Sequence, residues 1–226
     1  MPPHRTVGHR RASVCLGLAL LIGSAGGCGR DALPELCPNV AEGELVISEL
    51  RGAQAGQDSF GDYIEVYNGS GHSVDLEGMK LSLRSSGGEV LELFVRDSIE
   101  LAAGEYAVIG PGLEEDVPTW IDYGVAWDIS GGTPESDAYP RDFMRYRSAF
   151  VEIEACGSLI DRVFFETDAL TDTGTMACGN AQNPPVASDN DNVNAGCWCV
   201  DDLGAEGQPL FGVGLPGSPG EVNRCP

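Results

Sequence analysis

Apolar residues recur at every second position through most of the chain, broken by glycine- and serine-rich punctuation. Met79-Lys80-Leu81-Ser82-Leu83-Arg84 sets Met79, Leu81 and Leu83 on one side. Tyr63-Ile64-Glu65-Val66-Tyr67 sets Ile64 and Val66 opposite Glu65, and Phe150-Val151-Glu152-Ile153-Glu154 sets Val151 and Ile153 opposite two glutamates. Successive Cβ atoms of a strand point to opposite faces, so this period of two predicts half-buried strands. Residues 45–50, 90–95, 106–109 and 159–165 are further strand candidates. Asn68-Gly69-Ser70-Gly71, Ser85-Ser86-Gly87-Gly88 and Ala103-Gly104 supply turns between them. No window holds a 3.6-residue period for three turns. Many short strands with regular turns predict an all-β sandwich or barrel.

Two stretches break the rhythm. Residues 130–147 hold Gly131, Gly132, Pro134 and Pro140, then Arg141-Asp142-Phe143-Met144-Arg145-Tyr146-Arg147. This reads as a long surface loop, the kind of element on which binding residues concentrate. From Thr171 the chain turns rich in Asn, Gly, Pro and Asp, and it reads as a tail that wraps the sandwich, held by disulfides rather than by a core of its own.

The N-terminal pattern is different again. His4, Arg5, His9, Arg10 and Arg11 precede an uncharged, Leu-rich run over residues 12–23. A spanning helix needs roughly 20 apolar residues, so the run has the length of a secretory signal rather than of a membrane span. Ser24-Ala25-Gly26-Gly27-Cys28 then resembles a bacterial lipobox, with Ala25 where Leu is commoner. Residues 1–27 are accordingly expected to be a removable signal, and Cys28 the lipid-bearing N-terminus; the competing expectation is ordinary secretion with cleavage near Ala25. Two or more acyl chains hold a protein firmly at a membrane, at about 0.8 kcal/mol per buried CH₂. Gly29 stands where Asp would favour inner-membrane retention, so the expected address is the cell envelope, at the outer membrane or cell surface. Residues 28–43 would be a short tether.

Export changes the meaning of the cysteines. Cys15 leaves with the signal and Cys28 takes lipid, which leaves Cys37, Cys156, Cys178, Cys197, Cys199 and Cys225. An even count in an exported chain predicts disulfides. Several connectivities are possible; those joining Cys197 to Cys199 are geometrically poor. Cys37 and Cys225 are expected each to tie down a terminus. No C-x-x-C pair exists, which weighs against a cysteine zinc site. The formal charge is −22, and loss of Arg5, Arg10 and Arg11 leaves the remainder more negative still. A polyanion is repelled by phosphate backbones, so nucleic-acid binding is not expected.

The order of motifs resembles the lamin-tail domain, an immunoglobulin-like β-sandwich. Val46-Ile47-Ser48-Glu49-Leu50 resembles its opening strand, and Asp62-Tyr63-Ile64-Glu65-Val66-Tyr67-Asn68 its most recognisable run. Val74-Asp75-Leu76-Glu77-Gly78-Met79-Lys80-Leu81 follows, with Met79 where Trp is usual, and then Leu101-Ala102-Ala103-Gly104-Glu105-Tyr106, with Ala103 in place of Pro. Gly157-Ser158-Leu159-Ile160-Asp161-Arg162-Val163 is similar to a late hairpin. Leu215-Pro216-Gly217-Ser218-Pro219-Gly220-Glu221-Val222-Asn223 is similar to the closing motif of bacterial members. The resemblance implies a lamin-tail-type sandwich over residues 44–170, with residues 171–226 as a cysteine-rich extension packed on it. It also implies an interaction or anchoring module without shared catalytic residues.

Candidate chemistry is sparse. His72 is the single histidine beyond the signal and lies in a turn; no Gly-x-Ser-x-Gly elbow accompanies it, so no catalytic triad is expected. Carboxylates are too plentiful to be diagnostic of a two-acid hydrolase. Asp62 and Glu65 are the pair to inspect, and their expected roles are a turn residue and a solvated strand residue. Ser188-Asp189-Asn190-Asp191-Asn192-Val193-Asn194 offers hard oxygens suited to Ca²⁺, but Val193 and the missing glycine and closing glutamate break the EF-hand pattern; a loop of Asx turns is the simpler reading. Asn68-Gly69-Ser70 is a formal glycosylation sequon read as turn chemistry. No cofactor is expected. The leading expectation is a non-enzymatic, lipid-anchored module that binds an unidentified protein or glycan. An acid-only envelope hydrolase and a calcium-dependent surface protein are the alternatives.

Overall fold

Strand β1 (Leu45–Arg51) is buried along its whole length and organises the domain. In the computed structural model, residues 36–52, 54, 61–110, 119–124, 144, 148–166, 169–202 and 217–226 are described. The strands that follow are β2 (Tyr63–Asn68), β3 (Val74–Asp75), β4 (Lys80–Ser85), β5 (Val90–Phe94), β6 (Glu100–Leu101), β7 (Tyr106–Gly110) and β8 (Tyr123–Gly124). After them come β9 (Ser148–Ala155), β10 (Ser158–Glu166), β11 (Thr175–Cys178) and β12 (Trp198–Asp201). Among the described residues they form a six-stranded sheet in the order β12-β11-β1-β2-β7-β8, a four-stranded sheet β10-β9-β4-β5 and a small β3–β6 ribbon. The fold is all-β, an immunoglobulin-like sandwich. No described helix is long and apolar enough to cross a membrane.

One core cluster joins both sheets. Leu45, Ile47, Leu50, Ile64, Val66, Ala107, Ile109 and Met176 come from the six-stranded sheet. Leu81, Leu83, Leu91, Leu93, Val151, Ile153, Val163 and Phe165 come from the four-stranded one. Every strand expected from the alternation is present, with bounds shifted by a residue or so. Strands β3, β6 and β8 have two residues each, too few to display a period. Met79 is fully buried in that core.

A bulge in β1 sets up everything on the outer face. Ile47 pairs with Val66 and Glu49 with Glu65, so Ser48 is the extra residue between them. Unbroken alternation from Leu45 and Ile47 would drive Glu49 into the core. The bulge turns Glu49 and Arg51 outward and brings Leu50 in against Ile64. It also releases backbone groups from the ladder. The Ile47 amide donates to Asp161 at 2.7 Å, the Ile47 carbonyl accepts from Asn190 at 3.0 Å, and the Ser48 carbonyl accepts from Asn223 at 3.0 Å.

The tail differs from expectation. It is not held by sulfur alone: β11 pairs with β1 and β12 with β11, so residues after Thr171 extend the six-stranded sheet. The 188–194 loop instead guards the other sheet. Phe164 of β10 donates its amide to Asp191 at 2.8 Å and accepts from Val193 at 3.1 Å, which occupies part of an edge that would otherwise offer free backbone groups. At the N-terminal end, Gly78 has φ +89° and passes so close to Leu36 that a Cβ would overlap the Leu36 carbonyl.

Candidate functional site

The register of the six-stranded sheet places a polar stripe on its outer face. Glu49 lies opposite Glu65 and Ala177; Glu65 lies opposite Val108; Arg51 lies opposite Tyr63; and Thr175 lies opposite Asp201. These are positions that ordinarily meet water. Here residues 217–226 cross the stripe as a strap, and Glu49, Glu65, Arg51, Tyr63 and Thr175 are all 0% exposed. The Cys199–Cys225 disulfide, with Cα atoms 5.6 Å apart, fastens the strap to β12.

The strap is joined to the carboxyls by its own donors. The Ser218 amide and hydroxyl reach Glu49 Oε1 at 3.2 and 2.9 Å, and the Gly220 amide donates to Glu65 Oε2 at 2.8 Å. From below, the Tyr63 hydroxyl donates to Glu49 Oε2 at 2.6 Å, the Thr175 hydroxyl to Glu49 Oε1 at 3.3 Å and the Ser48 hydroxyl to Glu65 Oε1 at 2.7 Å. Asn223 ties strap to sheet by donating to the Ser48 and Cys178 carbonyls at 3.0 and 2.9 Å. Arg51, on the same face, donates to the Gly61 carbonyl. Packing of Gly217 against the Thr175 side chain, with φ +76°, leaves no room for a Cβ where the strap begins.

Burial pushes Glu49 up to about 7, with the Asp201 charge adding to the rise, while donation from Tyr63 and Ser218 pulls the other way. Glu65 is raised well above the ordinary carboxyl range, first by burial and then by the charge of Glu49; its bonds from Ser48 and Gly220 oppose this. Tyr63 and Tyr106 are raised as well, chiefly by burial and then by these glutamates. Ser218 supplies a geometric sign of the same condition. Its hydroxyl lies 2.9 Å from Glu49 and 2.7 Å from Asp201, but it has a single proton to donate. Satisfying both contacts requires a proton on one of the two carboxyls.

A carboxyl pair that holds a proton near neutral pH is the raw material of general acid–base catalysis. This pair is sealed from solvent by the strap, so its present work is to fasten one segment to another. Glu65 therefore departs from expectation: it is not a solvated strand residue but a fully buried one. Asp62 takes a different partner, accepting from the Met144 amide at 3.0 Å.

The other candidates fall elsewhere. Cys37 is bonded to Cys156 at the β9–β10 turn and Cys178 to Cys197 within the tail, with Cα separations of 5.6 and 4.8 Å. His72 is exposed in its turn, its Nε2 2.9 Å from the Asn39 carbonyl. Asn68 is a corner: its side-chain amide donates to the Leu101 and His72 carbonyls and its oxygen accepts from Ser70. In the 188–194 loop, Asn190 is buried and donates to Asp161 at 2.7 Å, Asn192 Oδ1 accepts from the Asn194 amide, and the Asp189 carbonyl accepts from Cys197. The Asn192 Oδ1 and the Asp189 carbonyl are committed to the fold, whereas the buried Asn190 Oδ1 has no hydrogen-bond partner among the described residues. Asp161 itself is raised to about 6 by burial, against bonds from Ile47 and Asn190. Among the described residues no cluster of three or more His, Cys, Asp or Glu side chains is arranged to hold a metal ion. Cys28, the expected signal at residues 1–27 and, apart from Met144, residues 130–147 lie outside the described residues.

The opening motif at Ser48-Glu49 and the closing motif at Ser218–Asn223 thus meet at one bulge. Residues 38–138 match the family model of the lamin tail domain. No curated protein matches the chain. The lamin-tail match spans β1 to β8. The sandwich needs more than that stretch, because β9 lies between β4 and β10 and β11 lies against β1. What sequence reasoning missed was the joint role of Ser218 and Asn223. Their place in a Pro-Gly-rich ending was the available signal.

Proposed function

We propose that the chain is an extracytoplasmic lipoprotein whose lamin-tail-like sandwich acts as a binding or scaffolding module, tethered to the membrane through lipid on Cys28 and engaging a protein or glycan of the envelope. The supporting observation is the closed outer face. The polar stripe best suited to chemistry is consumed in fastening the C-terminal strap, while Cys37–Cys156 ties the N-terminal segment to the β9–β10 turn. Fastening both flanks lowers the conformational freedom of the sandwich that presents the contact surface, which lowers the entropic cost of binding. The basic-aromatic run at residues 141–147 is the loop assigned to contact.

Intact mass of the protein extracted from membranes tests the anchor. The expected species begins at Cys28 with acyl groups attached; a species beginning elsewhere, without lipid, would overturn it. Deletion of residues 130–147 should weaken crosslinking to a defined envelope partner, and an unchanged yield would remove that loop from the reading. The acid-only hydrolase is the second reading: Glu49 is raised to about 7, and the strap would have to lift for a substrate to reach it, since the carboxyl is 0% exposed. Turnover of an envelope polysaccharide or phosphoester that disappears in Glu49→Gln would establish it. The calcium reading predicts a rise in melting temperature with added Ca²⁺.

A further inference from the structure

The strap seats on buried carboxyls of the six-stranded sheet. Its main-chain donors at Ser218 and Gly220 land on two carboxyls that face one another across adjacent strands. Neither carboxyl has access to water while the strap is down. We propose that residues 217–226 form a proton-linked latch, seated while the Glu49–Glu65 pair retains a proton and lifted when both carboxyls ionise.

The strap's donors favour the ionised carboxyls, but burial and the closeness of the two acids outweigh them. Two ionised carboxylates placed side by side under a dry cover repel one another and forgo hydration. Lifting the strap hydrates both. A carboxyl held above its ordinary value in the closed state and restored to it in the open state makes closure take up protons, so low pH favours the seated strap and rising pH favours release. For Glu49, between its ordinary 4.5 and about 7, the closing equilibrium changes by up to ~300-fold.

The surrounding charges leave this sign in place. On β1, the buried Arg51 shares the face and its charge favours the ionised form, but burial is the leading influence on Glu49 and Glu65. On β2, Tyr63 donates to Glu49 and, itself raised, does not compete for protons. On β12, Asp201 adds negative charge across Ser218, and beyond β7 Asp122 adds to that around Glu65. Tyr106 stands beside Glu65 with its own titration displaced upward. The strap's own charged groups, Glu221 and Arg224, are paired with each other at 3.5 Å. The Cys199–Cys225 bridge keeps the far end attached, so release is a hinged opening rather than loss of the segment.

Amide hydrogen exchange on the full chain, followed from pH 5 to pH 8 and corrected for the intrinsic pH dependence of exchange, tests the latch. The Ser218 and Gly220 amides should show an opening equilibrium that grows by tens- to several-hundred-fold over this range. Amides in the β4–β9 ladder, such as Leu83 and Ile153, exchange only by larger openings, so at every pH their opening equilibrium should stay far below that of the strap. The Glu49→Gln/Glu65→Gln variant, in which the side-chain oxygens still accept the strap's bonds, should flatten the strap response. Constant strap protection, an opening equilibrium at the strap no larger than in the β4–β9 ladder, or an undiminished response in the double variant would each overturn the proposal. Should that variant fail to fold, the wild-type contrast between strap and β4–β9 amides decides by itself.

Discussion

The outer faces of the two sheets begin from the same alternation and end in opposite states. On the six-stranded sheet, Tyr63-Ile64-Glu65-Val66-Tyr67 turns Glu65 outward into a stripe that a remote segment then buries. On the four-stranded sheet, Phe150-Val151-Glu152-Ile153-Glu154 turns Glu152 and Glu154 outward onto a face that stays in contact with solvent. There, each acid has a cation. Glu152 accepts Arg84 at 3.3 Å and Arg162 at 2.6 Å, and Lys80 lies 2.9 Å from Glu154 and 3.2 Å from Glu92. Phe150 and Phe164 pack with centroids 5.1 Å apart, and Arg162 lies 5.4 Å above the Phe150 ring. One face neutralises its carboxylates by pairing across strands; on the other, burial under a cover raises them above their ordinary range. The first mechanism needs cations in register, and the acidic face has Arg51 alone on β1.

The contrast breaks most readily at the sulfur that holds the cover. Cys199→Ser with Cys225→Ser opens a bridge across 26 residues, and chain-entropy reasoning sets the loss near 3 kcal/mol. Urea denaturation should report that loss, with exchange at Ser218 and Gly220 rising far more than in β4 or β9.

Next in size is the pH dependence. The folded values of Glu49 and Glu65 lie above their unfolded ones, so their contribution is fully present below about 4.5 and is lost as pH rises through their folded values, about 7 for Glu49. Stability should therefore fall from pH 5 to pH 8. Glu49→Gln removes part of that fall, leaving the variant about 1–3 kcal/mol more stable than wild type at pH 8 and close to it at pH 4.5. A wild-type protein that gained stability over this interval would remove the distinction between the faces.

The smallest effect is on the paired face. Glu152→Ala strips a nearly buried carboxylate from Arg84 and Arg162, whose side chains are 51% and 48% exposed. Solvent screening of those half-exposed cations limits the loss to about 1 kcal/mol, and added salt should shrink it further. Thermal melts at two ionic strengths measure it.

How much of this was legible in the sequence depends on how far apart the partners lie. Strands such as β2, β4 and β9 were legible because alternation is a local property, and the core residues Leu81, Leu83, Val151 and Ile153 came with them. The fate of Glu65 was not, because its cover arrives from Gly220, 155 positions away. Alternation says which side a residue faces and nothing about what stands there. The β1 bulge is likewise silent in Val46-Ile47-Ser48-Glu49-Leu50, since its position depends on the register with β2. Strands β11 and β12 escaped notice because four residues set among glycines and asparagines carry too little pattern to distinguish a strand from a loop. The cysteines were legible as a framework, yet their pairing required β12 and the strap to be brought together.

The central claim is that the strap holds a carboxyl of the outer stripe protonated near neutral pH. Carboxyl ¹³C NMR of the glutamates, followed through a pH titration with Glu49→Gln for assignment, addresses it directly. The Glu49 resonance should titrate with a midpoint of about 7. A midpoint at the ordinary 4.5 would mean that the stripe is open to water and the strap seals nothing.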